Sequence, residues 1–366
     1  MLPVPRQPSR PACSTWRVQC EAAATTFGGG LLPLMDASSK IGVATAPVVS
    51  ICIPAHSRPR ELREAVASVL AQTVSDLEVV VTDDSGRWQD LEREFSDNRL
   101  RYVLNPARLG MAGNWQQSLS LARGRFIGLL MDDDILLPTF VERCLSVFAA
   151  DRTVGVVFTN HFFADGRSVV ARDSLLPGGT YTQFLPLLIR HKPVAICATL
   201  MRRAVWDDVL PVPDMHTADL AMHMRAAQSG HVFHYIDDPL MVYRVHGGQL
   251  SGDARFRHHD LALWRAFRFE DGSEQEALRR QRLAEALLSS AASRMQTGEV
   301  ALAAELAREA SCLGVPANLL TARARVVAVL ARSRVAAFAA GQTFRISRRA
   351  RALALRAARK RNSDSP

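Results

Sequence analysis

From residue 48 onward, short apolar runs rich in β-branched residues alternate with segments of helical period, and this alternation constrains the fold more than any other feature. "VVSICIPA" reads as a buried strand. "RPRELREAVASVLAQT" follows, with Leu62, Val66, Val69 and Leu70 at helical spacing behind Pro59, a residue suited to the first turn of a helix. Next come a strand "DLEVVVTDDS", a polar helix to about Phe95, a strand "LRYVLN", a helix "MAGNWQQSLSLA" and a strand "RFIGLLM". Such a succession predicts parallel strands joined by crossover helices. Open sheets of this kind bind ligands beyond the carboxyl ends of their strands. Three of those ends carry polar residues here: Pro54 to Arg58, Thr82 to Gly86, and Asp132 to Asp134.

The pattern continues with a helix "TFVERCLSVFAA", a strand "VGVVFTNHFFAD", a helix over about 181–191 and an apolar strand "VAICATLM". A helix in "TADLAMHMRAAQSG" then precedes two further segments, "HVFHYI" and "DPLMVYRVHGG". From about Gly272 the composition shifts to Ala, Leu, Arg and Glu with helical period, which predicts an all-helical appendage. Within it "EALLSSAASRMQTGEVALAAELAREA" has the form of an αα-hairpin of the tetratricopeptide kind. Residues 1–46 mix Pro, Gly, Ser and Thr with little periodicity and are expected to be a disordered extension. The expected organisation is therefore 1–46 extension, 47–271 α/β domain and 272–366 helical region with a basic tail.

Composition narrows the classes. A hydrophobic fraction of 48% against 22% charged residues fits a folded chain. The net charge of +9 is concentrated in "RISRRARALALRAARKRNSDSP", so it describes the tail better than the rest. That tail reads either as a solvated helix or as a peripheral anchor on an anionic membrane face. Nucleic acid is not an expected partner, because no aromatic residues are interleaved with the arginines. Six cysteines lack any CxxC pair, and Cys52, Cys144 and Cys197 lie within apolar patterns, which predicts reduced buried thiols, a cytoplasmic location and no zinc site. The apolar stretch "LLTARARVVAVLARSRVAAFAA" is interrupted by arginines and does not read as a membrane span. No G-x-G-x-x-G follows the first strand, against a nicotinamide site, and no G-x-S-x-G elbow is present.

"LLMDDDILLP" places Asp132, Asp133 and Asp134 directly behind an apolar run. A helix N-cap cluster would account for Asp134. Divalent-metal and phosphate chemistry would account for all three, since Mg²⁺ or Mn²⁺ takes hard oxygen ligands and cancels their repulsion.

Three stretches, in order and spacing, resemble the family 2 glycosyltransferases of the GT-A fold. They are "VSICIPAHSRPRELREAVASVLAQTVSDLEVVVTDDS", "NPARLGMAGNWQQSLSLARGRFIGLLMDDDILLP" and "ADLAMHMRAAQSGHVFHYIDDPLMVYRVHGGQLS". The resemblance covers roughly residues 47–252. It implies a Rossmann-like, mostly parallel sheet, a nucleotide-diphosphate-sugar donor, Mn²⁺ or Mg²⁺, and inversion at the anomeric carbon. It also implies a glycan or lipid-linked acceptor, in polysaccharide or glycolipid assembly at the inner face of the cell membrane.

Carried over by position, Pro54, His56 and Arg58 fall in the loop that cradles the nucleotide, with His56 in the place of a common aromatic. Asp84 matches the carboxylate that meets the base, Arg108 a basic residue near the diphosphate, and Asp132 a position near the ribose. Asp133 matches the metal-binding carboxylate, with Asp134 and His246 in support; Met131 stands where many members have a leading acid. Arg244 is expected to pair with phosphate oxygens. Asp219 matches the general base, which must take the acceptor's proton as the new bond forms. Residue by residue, Asp219 also reads as an ordinary first-turn acid and His246 as a structural histidine. The competing expectation for the whole chain is a catalytically degenerate binding or scaffold subunit.

Overall fold

The structure, a computed structural model, describes residues 46–247, 249 and 255–320. The expected N-terminal extension, but for residue 46, and the basic tail lie outside the described residues. Four strands open the domain: β1 (Val49–Ala55), β2 (Leu77–Asp83), β3 (Leu100–Leu104) and β4 (Phe126–Leu129). Helices α1 (Pro59–Leu70), α2 (Leu91–Phe95) and α3 (Gly110–Leu121) connect them, and all four strands run parallel in the order β3-β2-β1-β4. Both β1 and β2 are buried along their whole length, which is why apolar residues dominate both faces of each and do not simply alternate with polar ones. Helix α1 turns Leu62, Ala65, Val66 and Val69 onto the sheet.

The second half adds β5 (Ile135–Leu136), α4 (Phe140–Ala150), β6 (Val154–Ala164), β7 (Val169–Ala171), β8 (Gly179–Tyr181), α5 (Leu185–His191), β9 (Thr199–Arg202), α6 (Arg203–Val209), α7 (Ala218–Gln228) and β10 (Val232–Arg244). The sheet order is β3-β2-β1-β4-β9-β6-β10-β5, with β7 on β6 and β8 on β10. Strand β9 is antiparallel to both β4 and β6, while β6 and β10 are parallel, so the sheet is mixed but mostly parallel.

Three expected elements differ in extent. "VAICATLM" is a strand only from Thr199, because Ile196–Ala198 form a 3₁₀ turn, with Thr199 Oγ1 donating to Ala195 O at 2.8 Å. The helix expected over 181–191 starts at Leu185, since Gly179–Tyr181 pair with β10 instead. "HVFHYI" and "DPLMVYRVHGG" form one strand, β10, whose register slips on either side of Pro239, a residue with no N–H to give the ladder.

At the end of the sheet where β1, β2 and β3 begin, one carboxylate gathers the chain. Glu78 is 2% exposed and accepts from Ser50 Oγ (2.6 Å), Arg101 Nη1 (2.9 Å), Arg123 Nη2 (2.7 Å) and the Arg123 N–H (2.7 Å). Burial alone would raise its pKa, but these donors outweigh it and hold the carboxyl below the usual glutamate range. Gly124 is required beside it: a Cβ there would sit 2.5 Å from Ser50 N.

Helices α8 (Arg255–Ala266), α9 (Glu274–Thr297) and α10 (Val300–Cys312) complete the described chain. Ser273 caps α9 by accepting from Glu276 N at 3.2 Å, and Gly298, at φ 86°, ends it in the left-handed conformation that glycine favours. The two long helices form the αα-hairpin read from the sequence. One apolar cluster runs from Trp115 and Phe158 through Leu188 and Trp206 to Leu287, Ala291 and Ala303, so sheet and hairpin share a core. Buried Glu276 accepts from Arg279 Nη2 at 2.6 Å, while Arg279 Nη1 donates to Trp264 O of α8 at 2.8 Å. Cys52, Cys144 and Cys197 are buried free thiols, as expected.

Candidate active site

All the candidate loops emerge from the carboxyl ends of strands. At the end of β2 the two aspartates divide their work. Asp83 is fully buried and turns inward to accept from Ser85, from the Trp88 N–H and from the Tyr102 hydroxyl. Asp84 points the other way. Its Oδ1 accepts from Leu109 N at 2.6 Å and Asn105 Nδ2 at 3.2 Å, and its Oδ2 accepts from Gly110 N at 2.9 Å. The carboxylate therefore closes the amino end of α3, where a negative charge is favoured.

Two amides that the sequence did not single out complete this corner. Asn105 Nδ2 also donates to Asn114 Oδ1 at 2.9 Å, and Asn114 Nδ2 donates to Ala55 O at 3.2 Å. The ends of β1, β2 and β3 are thus tied to α3 by one chain of hydrogen bonds. Beside it lies a cavity of about 460 Å³ lined by His56, Asp84, Ser85, Arg87, Asn105 and Arg108. Arg108 Nη2 stands 3.5 Å from His56 Nε2 across its rim. Pro54 is buried in β1, two residues before His56, and is not among the residues that line the cavity.

The acidic loop after β4 is the centre of the site. Asp132 accepts from the His56 N–H at 3.1 Å and from Arg58 Nη1 at 2.9 Å. The same Arg58 nitrogen lies 3.1 Å from Asp133 Oδ2, so one guanidinium balances two carboxylates. Burial raises the Asp132 pKa, and the His56 amide and Arg58 oppose that rise. Asp133 Oδ2 is also 2.8 Å from His246 Nε2. Two adjacent ligands of an octahedral ion bound at about 2.1 Å lie about 3 Å apart, so this pair fits the edge of one coordination sphere. The carboxylate oxygen suits either Mn²⁺ or Mg²⁺, whereas an imidazole nitrogen is a poor partner for the harder Mg²⁺, so a site that used both would favour Mn²⁺ of the two. Among the described residues no cluster of three or more His, Cys, Asp or Glu side chains forms a protein cage for a metal.

Asp134, expected as a metal ligand, is placed elsewhere. It is 1% exposed and faces the interior, where Oδ1 accepts from the Arg244 N–H at 3.0 Å and Oδ2 is enclosed. Burial, and then the charge of Asp133, hold its carboxyl well above the usual range, while the buried Cys197 thiol lies against it. Its role is to hold the end of β10 from within. Arg244, expected to pair with phosphate oxygens, has its guanidinium on Glu64 of α1.

Asp219 sits in the first turn of α7 and is joined to the aspartates of the β4 loop by no hydrogen bond or ion pair among the described residues. Burial raises its pKa, opposed by the Leu220 N–H and the charge of Lys192. One turn on, His223 is buried and its pKa is lowered to about 4 by that burial, so it is neutral at physiological pH. A carboxylate whose pKa is shifted upward is a better proton acceptor than an unshifted one.

Residues 50–210 match the model of a family described as glycosyl transferase family 2. Hyaluronan synthase of Pasteurella multocida is 34% identical over 152 residues, covering 41% of this chain and 15% of that one. The Escherichia coli UDP-Glc:alpha-D-GlcNAc-diphosphoundecaprenol beta-1,3-glucosyltransferase WfgD is 30% identical over 142 residues, covering 38% of this chain and 55% of its own length. The chain thus spans only part of either relative. In three dimensions it superposes on the crystal structure of S. aureus TarS 1-349 in complex with UDP-GlcNAc, with a TM-score of 0.61 at 17% identity, covering 82% of this chain and 91% of that one.

Proposed function

We propose, starting from the chain's membership of glycosyl transferase family 2 through residues 50–210, that it transfers a sugar from a nucleotide-diphosphate donor to an acceptor hydroxyl, with inversion. The observation that carries this reading is the convergence of a cavity of about 460 Å³ with the Asp132, Asp133, Arg58 and His246 cluster across the same strand ends. The cavity takes the base, against His56, Asp84 and Arg108. Asp132 and Arg58 follow at the ribose and diphosphate.

Asp133 and His246 would hold the Mn²⁺ or Mg²⁺ that the family implies. When bound, the ion supplies positive charge to the leaving diphosphate. Arg58 supplies charge of the same sign from the chain itself, and the bond to the anomeric carbon breaks as that charge is stabilised. Asp219 takes the proton of the attacking hydroxyl, and no covalent nucleophile is needed. Solved or curated relatives whose names carry UDP-GlcNAc and UDP-Glc favour a UDP-sugar donor. Names such as hyaluronan synthase and diphosphoundecaprenol glucosyltransferase favour a glycan or lipid-linked acceptor in polysaccharide or glycolipid assembly.

The test is a thermal-shift panel of nucleotide sugars with and without Mn²⁺. A donor at a hundred times its dissociation constant adds about 2.7 kcal/mol of stability, a shift of several degrees. Asp133→Asn should lose the Mn²⁺-dependent part of that shift. A protein blind to every donor would be the scaffold subunit instead.

No helix among the described residues is long and apolar enough to cross a membrane. The reading therefore assigns any membrane contact at the inner face of the cell membrane to the basic tail. Deleting residues 341–366 should move the protein from membrane to soluble fractions at low salt, and an unchanged distribution would refute the anchor.

A further inference from the structure

Gly247 directly follows His246, so the residue beside a side chain that has to be held still is one that carries no Cβ. His246 Nε2 nevertheless lies 2.8 Å from Asp133 Oδ2. The contacts that fix it come from Gln249. Gln249 Oε1 accepts from the His246 N–H at 3.3 Å, its Nε2 donates to Arg244 O, and its backbone N–H donates to His246 O at 3.4 Å. A carboxylate in that place could only accept and an ammonium could only donate; the amide does both, and so spans the segment from Arg244 to His246. Arg244 is itself immobilised, by Asp134 on its N–H and by Glu64 on its guanidinium. The end of β10 is a fixed post, and Gln249 ties the histidine to it.

We infer that Gln249 is a positioning residue of the donor site, which holds the His246 imidazole against Asp133. The inference rests on the donor-site reading above. Residues of this kind, one step behind the ligating atoms, typically change affinity by about 10- to 100-fold when removed.

The experiment is a double-mutant cycle on the full chain, read as binding of UDP with Mn²⁺ by calorimetry. Gln249→Ala should weaken binding about tenfold. His246→Ala should weaken it at least as much, and the double variant should bind no worse than His246→Ala alone. Adding Gly247→Ala to Gln249→Ala should restore part of the loss, since a Cβ at Gly247 meets nothing within 4 Å and stiffens the segment. Losses that multiply in the double variant, or wild-type binding by Gln249→Ala, would overturn the inference. If the wild-type chain binds no UDP, the functional reading fails, and hydrogen exchange at the His246 amide decides the inference instead. Exchange should be at least about tenfold faster in Gln249→Ala; equal rates would overturn it.

Discussion

A carboxylate that accepts a proton during group transfer needs a raised pKa but must remain ionised in the resting enzyme, and Asp219 has the first property because it is enclosed at the head of α7. Asp219→Asn keeps the shape and removes the basicity. The expected result is a fall in kcat of about 10²- to 10⁴-fold with the donor-induced thermal shift unchanged; loss of that shift would place Asp219 on the donor side. At this scale the sequence was informative where a residue's role depends on its own strand end. Asp84, Asp132, Asp133 and His56 lie where an open parallel sheet exposes its loops, and that location follows from the strand pattern alone. The pairs that decide their neighbours' roles were not legible. Glu64 reaches Arg244, and Cys197 reaches Asp134, only because β10 returns beside β5 and a 3₁₀ turn precedes β9. No local pattern announces either contact. For that reason Asp134 read in sequence as a helix cap or a supporting metal ligand, while in space it faces the core.

Among elements, α3 shows how one group can serve stability and binding together. The N–H groups of Leu109, just before it, and of Gly110, its first residue, are received by Asp84, which also lines the cavity of about 460 Å³. Asp84→Ala should therefore destabilise the fold by about 1–2 kcal/mol, the range for losing a helix cap, measured by urea denaturation. It should abolish the donor-induced thermal shift in the same protein. A variant that lost donor binding at full stability would show that α3 does not depend on this cap. The helical hairpin was legible because its helical period persists through a composition of Ala, Leu, Arg and Glu. Strand β10 was harder, since Asp237, Asp238 and Pro239 interrupt an otherwise apolar pattern where the register slips.

Across the whole molecule, the core shared between sheet and hairpin means that damage to the hairpin is felt at the sheet. Glu276 provides a direct probe. Arg279 above all, with help from Arg280, holds its pKa down to about 2 against the opposing effect of burial. A depressed pKa contributes stability above the ordinary glutamate range, and that contribution is lost as pH falls toward the folded value. Glu276→Gln should thus lower the melting temperature at neutral pH. The gap from wild type should narrow between about pH 4.5 and pH 2. A single melting transition in both proteins is the expected signature of the common core, whereas two separate transitions would show the hairpin unfolding alone.

Glu78 and Gly124 sit at the end of the sheet remote from the site, and they fix how β1, β2 and β3 line up before any loop is formed. Alignment secured at one end relieves the other of that duty. The loops that meet donor and acceptor can then lengthen, shorten or change residues without disturbing the strands beneath them. In that sense the remote carboxylate separates the duty of aligning the strands from the duty of forming the site.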